Sequence, residues 1–197
     1  MSQGLGVCAL NGLAFGGGIE TAMACEVRIA RKGLKVLAGQ PEANLGIIPG
    51  AGGTQRLPRL IGIEAAAEML RTCRPVSSER ACRLGLISEE VDGDLVDRAI
   101  AIAKELATGK KKRQKLAMGP MANVPASLPA VEIGHLSRRV DEILGKAILG
   151  GARMELRAGI AFEAKCFGEV CGTEDMRIGV DNFVKNGPKA KAAFVHR

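Results

Sequence analysis

Two glutamates stand beside glycine-rich turns near the start of the chain. Glu20 follows Asn11-Gly12-Leu13-Ala14-Phe15-Gly16-Gly17-Gly18-Ile19, and Glu42 lies within Gly39-Gln40-Pro41-Glu42-Ala43-Asn44-Leu45-Gly46-Ile47-Ile48-Pro49-Gly50-Ala51-Gly52-Gly53-Thr54. The pattern suits chemistry in which backbone N–H groups stabilise a developing oxyanion while two carboxylates handle water and a proton. Adding water to a polarised double bond needs one group to orient or deprotonate the water and another to exchange a proton with carbon. Plainer roles exist for each part: a tight packing turn for the glycines, a cap or ion pair for Glu20, and a salt bridge to Arg56 or Arg59 for Glu42.

These groups depend on the elements that carry them. Gly6 to Leu10 reads as a buried strand, and Gly16-Gly17-Gly18 removes three side chains where strand turns into helix. The amides of a helix start lack intrahelical acceptors and favour negative charge, so this turn can supply one oxyanion donor. Ile19, Ala22, Met23 and Cys25 continue the helix, with Glu20 in an otherwise apolar turn where an ionised side chain must find a partner or water. Val27 to Ala30 alternates like a strand, and Val36 to Ala38 follows as another after the Arg31-Lys32-Gly33 turn. Pro41 restricts the backbone ahead of Glu42. Strand, helix and strand in close succession predict a layered α/β core.

Residues 39–54 read as an ordered surface loop, followed by a short helix after Thr54, a break at Gly62 and a helix from Glu64 to Leu70. Ser77 or Ser78 can cap the next helix and Gly85 can end it. Ile87 to Val91 is extended, and Leu95, Ile100, Ala103 and Leu106 give a helical face. Beyond the prolines of residues 120–129, apolar positions recur at helical spacing. They run Ile133, Leu136, Val140, Ile143 or Leu144 and Ala147, then Leu156, Ile160, Ala164 and Phe167, then Met176, Val180 and Phe183 behind a Thr173 cap.

Bulk composition narrows the class. The 197 residues are 47% hydrophobic and 25% charged, which fits one core with a helical appendage. Aromatic residues are 3%, all Phe, so stacking platforms for single-stranded nucleic acid are scarce. The net charge of +7 and the Lys110, Lys111, Lys112, Arg113 and Lys115 run fit a solvated connection, or a surface facing phosphates. Neither glycine-rich turn matches a phosphate loop or a dinucleotide fingerprint. The six cysteines show no metal-ligand spacing and read as free thiols of a reducing compartment. With no leader-like or spanning apolar segment, the expectation is a cytoplasmic protein without membrane or nucleic-acid partners.

The phrases from Asn11-Gly12 to Glu20, from Ala24-Cys25-Glu26 to Ala30, and from Gly39-Gln40-Pro41-Glu42 to Gln55-Arg56-Leu57 are specific in this order. Together with Arg74-Pro75-Val76-Ser77, Ala81 and Leu84-Gly85-Leu86-Ile87 they make the chain resemble the enoyl-CoA hydratase/isomerase family, also called the crotonase family. The likeness covers most of residues 6–108 and extends more weakly into the later helices. It implies an α/β crotonase-like spiral of ββα units, here lacking the family's usual N-terminal portion with its second oxyanion N–H. The corresponding division is a partial α/β core at 1–108, a basic and proline-containing connection at 109–130, a helical oligomerisation or covering region at 131–185, and a tail at 186–197. The interval between Glu20 and Glu42 is slightly longer than the family's, around Arg31 to Lys35, which bears on how Glu42 approaches the site.

The resemblance also implies function. Its substrates are acyl-CoA thioesters, with coenzyme A part of the substrate and no separate cofactor or metal. Carried onto matching positions, Gly17 donates an N–H to the thioester oxygen, with Gly16, Gly18, Pro41 and Gly50 forming the oxyanion and substrate surround. Glu20 and Glu42 hold water and exchange the proton at the α-carbon in a hydratase. The assembly implied is a homotrimer or hexamer. Double-bond isomerisation or another enolate-forming reaction is the alternative enzyme, and an acyl-CoA-binding or oligomerisation fragment the non-catalytic one.

Overall fold

A computed structural model describes residues 6–112 and 116–197. Arg113 and Lys115 of the basic run lie outside the described residues. Strands β1 (Val7–Leu10) and β2 (Ala14–Phe15) lead into helix α1 (Gly17–Ala24), and β3 (Val27–Arg31) and β4 (Ala38–Gly39) follow in the same rhythm. A 3₁₀ turn (Glu42–Leu45) then precedes α2 (Gly53–Ile61), α3 (Ile63–Thr72) and α4 (Ser78–Leu84). Strand β5 (Glu89–Val91) and α5 (Leu95–Ala107) complete the α/β part, and α6 (Arg138–Ala152), α7 (Leu156–Cys171) and α8 (Glu174–Asn186) cover it.

The two ββ steps stack on each other in parallel. Val7 pairs with Val27 and Ala9 with Ile29, while β5 adds to the far side of β3 through Ile29 and Glu89. Ala14 pairs with Ala38 and Phe15 with Gly39 in a second sheet. Each of the first two turns of the chain therefore adds one strand to each sheet, and β5 extends the first sheet, in the manner of the expected spiral of ββα units.

Several burial patterns differ from the sequence reading for physical reasons. Val27, Arg28, Ile29 and Ala30 are all buried, because β3 is the central strand of a parallel sheet and is covered on both faces. Arg28 is accommodated by donating Nε to the Leu86 carbonyl at 2.6 Å and Nη1 to the Cys25 carbonyl at 2.7 Å. Strand β1 is half-buried at Val7 and Cys8, exposed at Ala9 and buried only at Leu10, since it is an edge of that sheet. In α5 the buried positions are Leu95, Ile102 and Leu106, and Ile100 points to solvent.

The main core joins Ile19 and Met23 of α1, Leu57 of α2, Ala66 and Leu70 of α3, and Val140, Ile143, Leu144, Ala147 and Ile148 of α6. Local signals place the helix ends. Ser77 Oγ accepts the Arg80 N–H, Ser137 Oγ the Val140 N–H and Thr173 Oγ1 the Met176 N–H, while Gly85 ends α4 in the left-handed region. Ser78 is instead tied to Leu34, its Oγ accepting the Leu34 N–H at 3.0 Å. Residues 39–54 are less superficial than expected: Gly39, Gln40, Ala43, Gly46, Ile48 and Pro49 are buried, and α2 already begins at Gly53.

Helices α7 and α8 present different faces from the apolar ones. The buried line of α7 is Leu156, Gly159, Glu163, Cys166 and Val170, with Ala164 exposed. That of α8 is Asp175 and Gly179, leaving Val180 and Phe183 largely exposed. Small and acidic residues occupy these lines because the backbone approaches closely. A methyl group at Gly159 would lie 2.7 Å from Gln55 Oε1, and one at Gly179 would lie 2.2 Å from the Leu45 carbonyl oxygen. The last residues return onto the 3₁₀ turn, where Ala192 and Phe194 are buried with Ala43 and Leu136.

Candidate active site

The β2 ladder continues one step past Phe15, with the Gly16 N–H donating to the Gly39 carbonyl at 3.0 Å. Gly16 then takes φ 52° and ψ −125°, a conformation that turns the strand abruptly into α1 and that a side chain would strain. Gly17 is the first residue of α1, so its N–H has no acceptor inside the helix. A methyl group at Gly17 or Gly18 would meet no atom within 4 Å. The space over the helix start is open.

One turn into α1, Glu20 is 3% exposed. Its Oε1 accepts the Ala51 N–H at 2.9 Å and the Gly53 N–H at 2.6 Å. This is the partner that an acid in an apolar turn requires, and it leaves Oε2 with no bond to another described group. Glu42 opens the 3₁₀ turn behind Pro41 and lies directly against Gly16, where a methyl group would stand 2.6 Å from its Oε1. The Gln40 amide, turned with its nitrogen toward Glu42, donates to both carboxylate oxygens at 3.1 Å. The same amide and Glu20 Oε1 crowd one point at Gly53, where a methyl group would lie 2.5 and 2.7 Å from them. Gln40 thus stands between the two acids, bonded to Glu42 and crowding the same point at Gly53 as Glu20.

Neither arginine weighed for Glu42 reaches it. Arg56 donates to the Ala51 carbonyl, and Arg59 to the Gln55 and Met154 carbonyls. Residues 31–35, where the interval between the two acids is expected to be longer than the family's, form a turn tied outward by the Lys32–Asp92 pair at 2.9 Å and by the Gly33 N–H to Glu90. Gly50 abuts α7, with the Phe167 ring 3.0 Å from where its methyl would be.

Burial with no cation beside Glu42 among the described residues sets the electrostatics. It raises the Glu42 carboxyl to about 7, with the nearby Glu20 and Glu163 carboxylates adding to the rise and a bond from its own backbone N–H opposing it. The Gln40 donors favour the ionised form and also oppose it. A third acid, Glu163 of α7, is wholly buried beneath the loop, its Oε1 accepting the Gly52 N–H at 2.6 Å. Its Oε2 accepts the Thr54 N–H at 2.8 Å and Oγ1 at 2.6 Å. Burial raises its pKa against the pull of those donors. Cys73, at φ 55° behind the 3₁₀ turn, is pushed up to about 12 by burial and is a neutral thiol at ordinary pH.

The sequence alone assigns no role to Gln40, Ala51, Gly53 or Glu163. Glu163 stands one position from the apolar stripe of α7, and spacing alone does not set it apart from Glu169, which pairs with Lys146 at the surface. Among the described residues no group of His, Cys, Asp and Glu is placed to hold a metal ion. No helix among them is long and apolar enough to cross a membrane.

The family model for enoyl-CoA hydratase/isomerase matches residues 4–132. The chain belongs to the enoyl-CoA hydratase/isomerase family. It is 33% identical over 180 residues to a short-chain-enoyl-CoA hydratase of Clostridium acetobutylicum, covering 91% of this chain and 58% of the relative. It is 34% identical over 188 residues to a probable enoyl-CoA hydratase of Bacillus subtilis, covering 94% of this chain and 62% of that one. Among solved structures, carnitinyl-CoA hydratase from Mycobacterium avium superposes with a TM-score of 0.67 at 25% identity, covering 99% of this chain and 64% of that one. Enoyl-CoA hydratase from Bacillus anthracis gives 0.51 at 34% identity, covering 96% and 63%. The chain therefore spans about three fifths of the length of these relatives of its family.

Proposed function

We propose that this chain carries the two acids and one oxyanion donor of an enoyl-CoA hydratase, adding water reversibly across the 2,3 double bond of an acyl-CoA thioester. The observation that supports this reading above all is the pairing of Glu20 and Glu42 beside the Gly16-Gly17 turn, with the two acids in different surroundings. The Gly17 N–H meets the thioester oxygen over the open helix start, where Gly18 leaves room, and Gly16 and Pro41 set the approach of Glu42. One such donor is worth about 3–4 kcal/mol of transition-state stabilisation.

Glu20, anchored through Oε1, turns Oε2 to the water. As the water oxygen bonds to C3, negative charge moves through C2 onto the thioester oxygen as an enolate. Glu42, close to half-protonated near pH 7, exchanges the proton with C2. The water's other proton passes to Glu20 Oε2 and on to solvent, from which Glu42 is reprotonated, so the net addition is OH at C3 and H at C2. In assembly the chain forms a homotrimer or hexamer; the exposed apolar residues Val180, Phe183 and Val184 of α8 support self-association. The six free cysteines fit a cytoplasmic setting.

The test is loss of the enoyl-thioester absorbance of crotonyl-CoA. Turnover abolished in both Glu20→Gln and Glu42→Gln supports hydration. Double-bond migration without hydration would move the assignment to an isomerase, and binding of the thioester without turnover would leave only an acyl-CoA-binding role.

A further inference from the structure

We propose that Glu163 is a positioning residue for Glu20, acting through the loop of residues 51–54 that the two carboxylates share. The inference rests on the reading of Glu20 as one of the reacting acids. The amides of four successive residues alternate between the two groups. Those of Ala51 and Gly53 go to Glu20 Oε1, and those of Gly52 and Thr54 go to Glu163. The loop is thus gripped on one side by an acid of α1 and on the other by an acid of α7.

The geometry makes this grip stiff. Glu163 is 0% exposed and uses both oxygens, taking two N–H groups and the Thr54 hydroxyl. The Thr54 hydroxyl in turn accepts the Gln55 Nε2 at 2.9 Å, and Gln55 donates to the Ala147 carbonyl at 2.9 Å, which ties the loop to α6. On the Glu20 side, Gly53 is packed against Gln40, Glu20 and Pro49, so the loop has little room to move toward that acid. A displacement of the Gly52 and Thr54 amides carries the intervening Gly53 amide with it, and hence the oxygen of Glu20.

The choice of side chain fits the role. Three donors converge on Glu163, and a carboxylate is acceptor-only at both oxygens. Glutamine of the same shape would turn an NH₂ toward an N–H or O–H and repel it. A helix needed only as a cover would not require an acid at its most buried point, in the neighbourhood of two other acids. Glu163 touches no reacting atom, so its effect must reach the chemistry through Glu20.

The experiment compares the parent chain with Glu163→Gln, Glu163→Asp and Thr54→Val, each checked for cooperative thermal unfolding. The readouts are kcat and KM for crotonyl-CoA and amide hydrogen exchange at Ala51 and Gly53. Glu163→Gln is expected to lower kcat about 10²-fold, as for a misplacement near 1 Å, with KM close to the parent value. Exchange at Ala51 and Gly53 should quicken although neither amide bonds Glu163. Glu163→Asp, which keeps the charge, should recover part of kcat. Thr54→Val, which keeps both N–H bonds, should fall between, and it carries the decision if Glu163→Gln does not fold. A folded Glu163→Gln with parental kcat, or with unchanged exchange at both amides, overturns the proposal. A parent chain that does not hydrate crotonyl-CoA overturns the assigned activity instead, and the exchange rates still decide whether Glu163 holds the Glu20 loop.

Discussion

Gly16 and Glu42 meet where a side chain would otherwise stand, since a methyl group on Gly16 falls 2.6 Å from Glu42 Oε1. The Gly16→Ala variant faces two costs at once: φ 52° with ψ −125° is open mainly to glycine, and the carboxylate must retreat. Backbone strain of this kind costs about 1–3 kcal/mol, so the urea midpoint should fall. Turnover should fall further than the folded fraction does, because Glu42 is displaced even in folded molecules. Gly18→Ala is the matched comparison, placed in a helix and open space, and it should gain up to about 1 kcal/mol. Parental turnover in Gly16→Ala would separate Glu42 from the chemistry.

Glu42 should leave a signature in both stability and rate. Its folded pKa of about 7 exceeds the ordinary 4.5, so between those values the folded chain holds a proton that the unfolded chain has lost. The contribution is therefore fully present below about pH 4.5 and is lost as pH rises through about 7. The loss approaches roughly 3 kcal/mol, at 1.36 kcal/mol per unit. Glu42→Gln should match the parent near pH 4.5 and exceed it in stability near pH 8, as measured by urea unfolding at the two values. The parent's kcat/KM should also bend near pH 7, and that bend should be absent from whatever rate the glutamine variant keeps. Equal stability differences at both pH values would place the Glu42 carboxyl in an unperturbed site.

Much of this arrangement was legible because it is local. Glycines mark the strand-to-helix turn at Gly16, Thr173 announces the start of α8, and the two acids each stand beside a glycine-rich turn. What stayed hidden depends on contacts between distant residues. The bonds from Gly52 and Thr54 to Glu163 span 111 and 109 positions, and no spacing rule connects them. Hydropathy also misplaces the faces of α7 and α8, because their inward positions are an acid that accepts amides or glycines that admit a neighbouring backbone. Val27 to Ala30 misled for a related reason, since alternation describes a strand with one wet face and β3 has none.

Gly151 tests how closely α6 must approach α2. A methyl group there would lie 2.2 Å from Gln55 Oε1, and Gln55 is fully buried with its amide nitrogen already committed to Thr54 and Ala147. Overpacking of this kind costs about 1–3 kcal/mol, so Gly151→Ala should lower the thermal midpoint and slow turnover through the Thr54 link. Gly168→Ala, on α7 with no atom within 4 Å of the added methyl, should hold or raise it. Similar melting of the two variants would show that the Gln55 side chain yields freely.

The second acid has its own support, centred on Asp175. This carboxylate is wholly buried and accepts Ser137 Oγ at 2.6 Å, the Val195 N–H at 2.7 Å and His196 Nδ1 at 3.0 Å. It therefore joins the α6 cap to the returning tail, whose Phe194 packs with Ala43, the neighbour of Glu42. Burial acts to raise the Asp175 pKa, but the donors outweigh it and the net shift is downward from 3.8. A depressed folded pKa gives stability that is present above 3.8 and lost as pH falls through the lower folded value. Asp175→Asn removes the charge and turns an NH₂ toward existing donors, at a cost of about 1–3 kcal/mol at pH 7. The gap from the parent should narrow in strong acid. Limited proteolysis should cut residues 187–197 faster in the variant, and kcat should drop less than in Glu42→Gln, because the tail holds the 3₁₀ turn without meeting substrate. Unchanged proteolysis with a full loss of turnover would mean that Asp175 acts on the site by a route other than the tail.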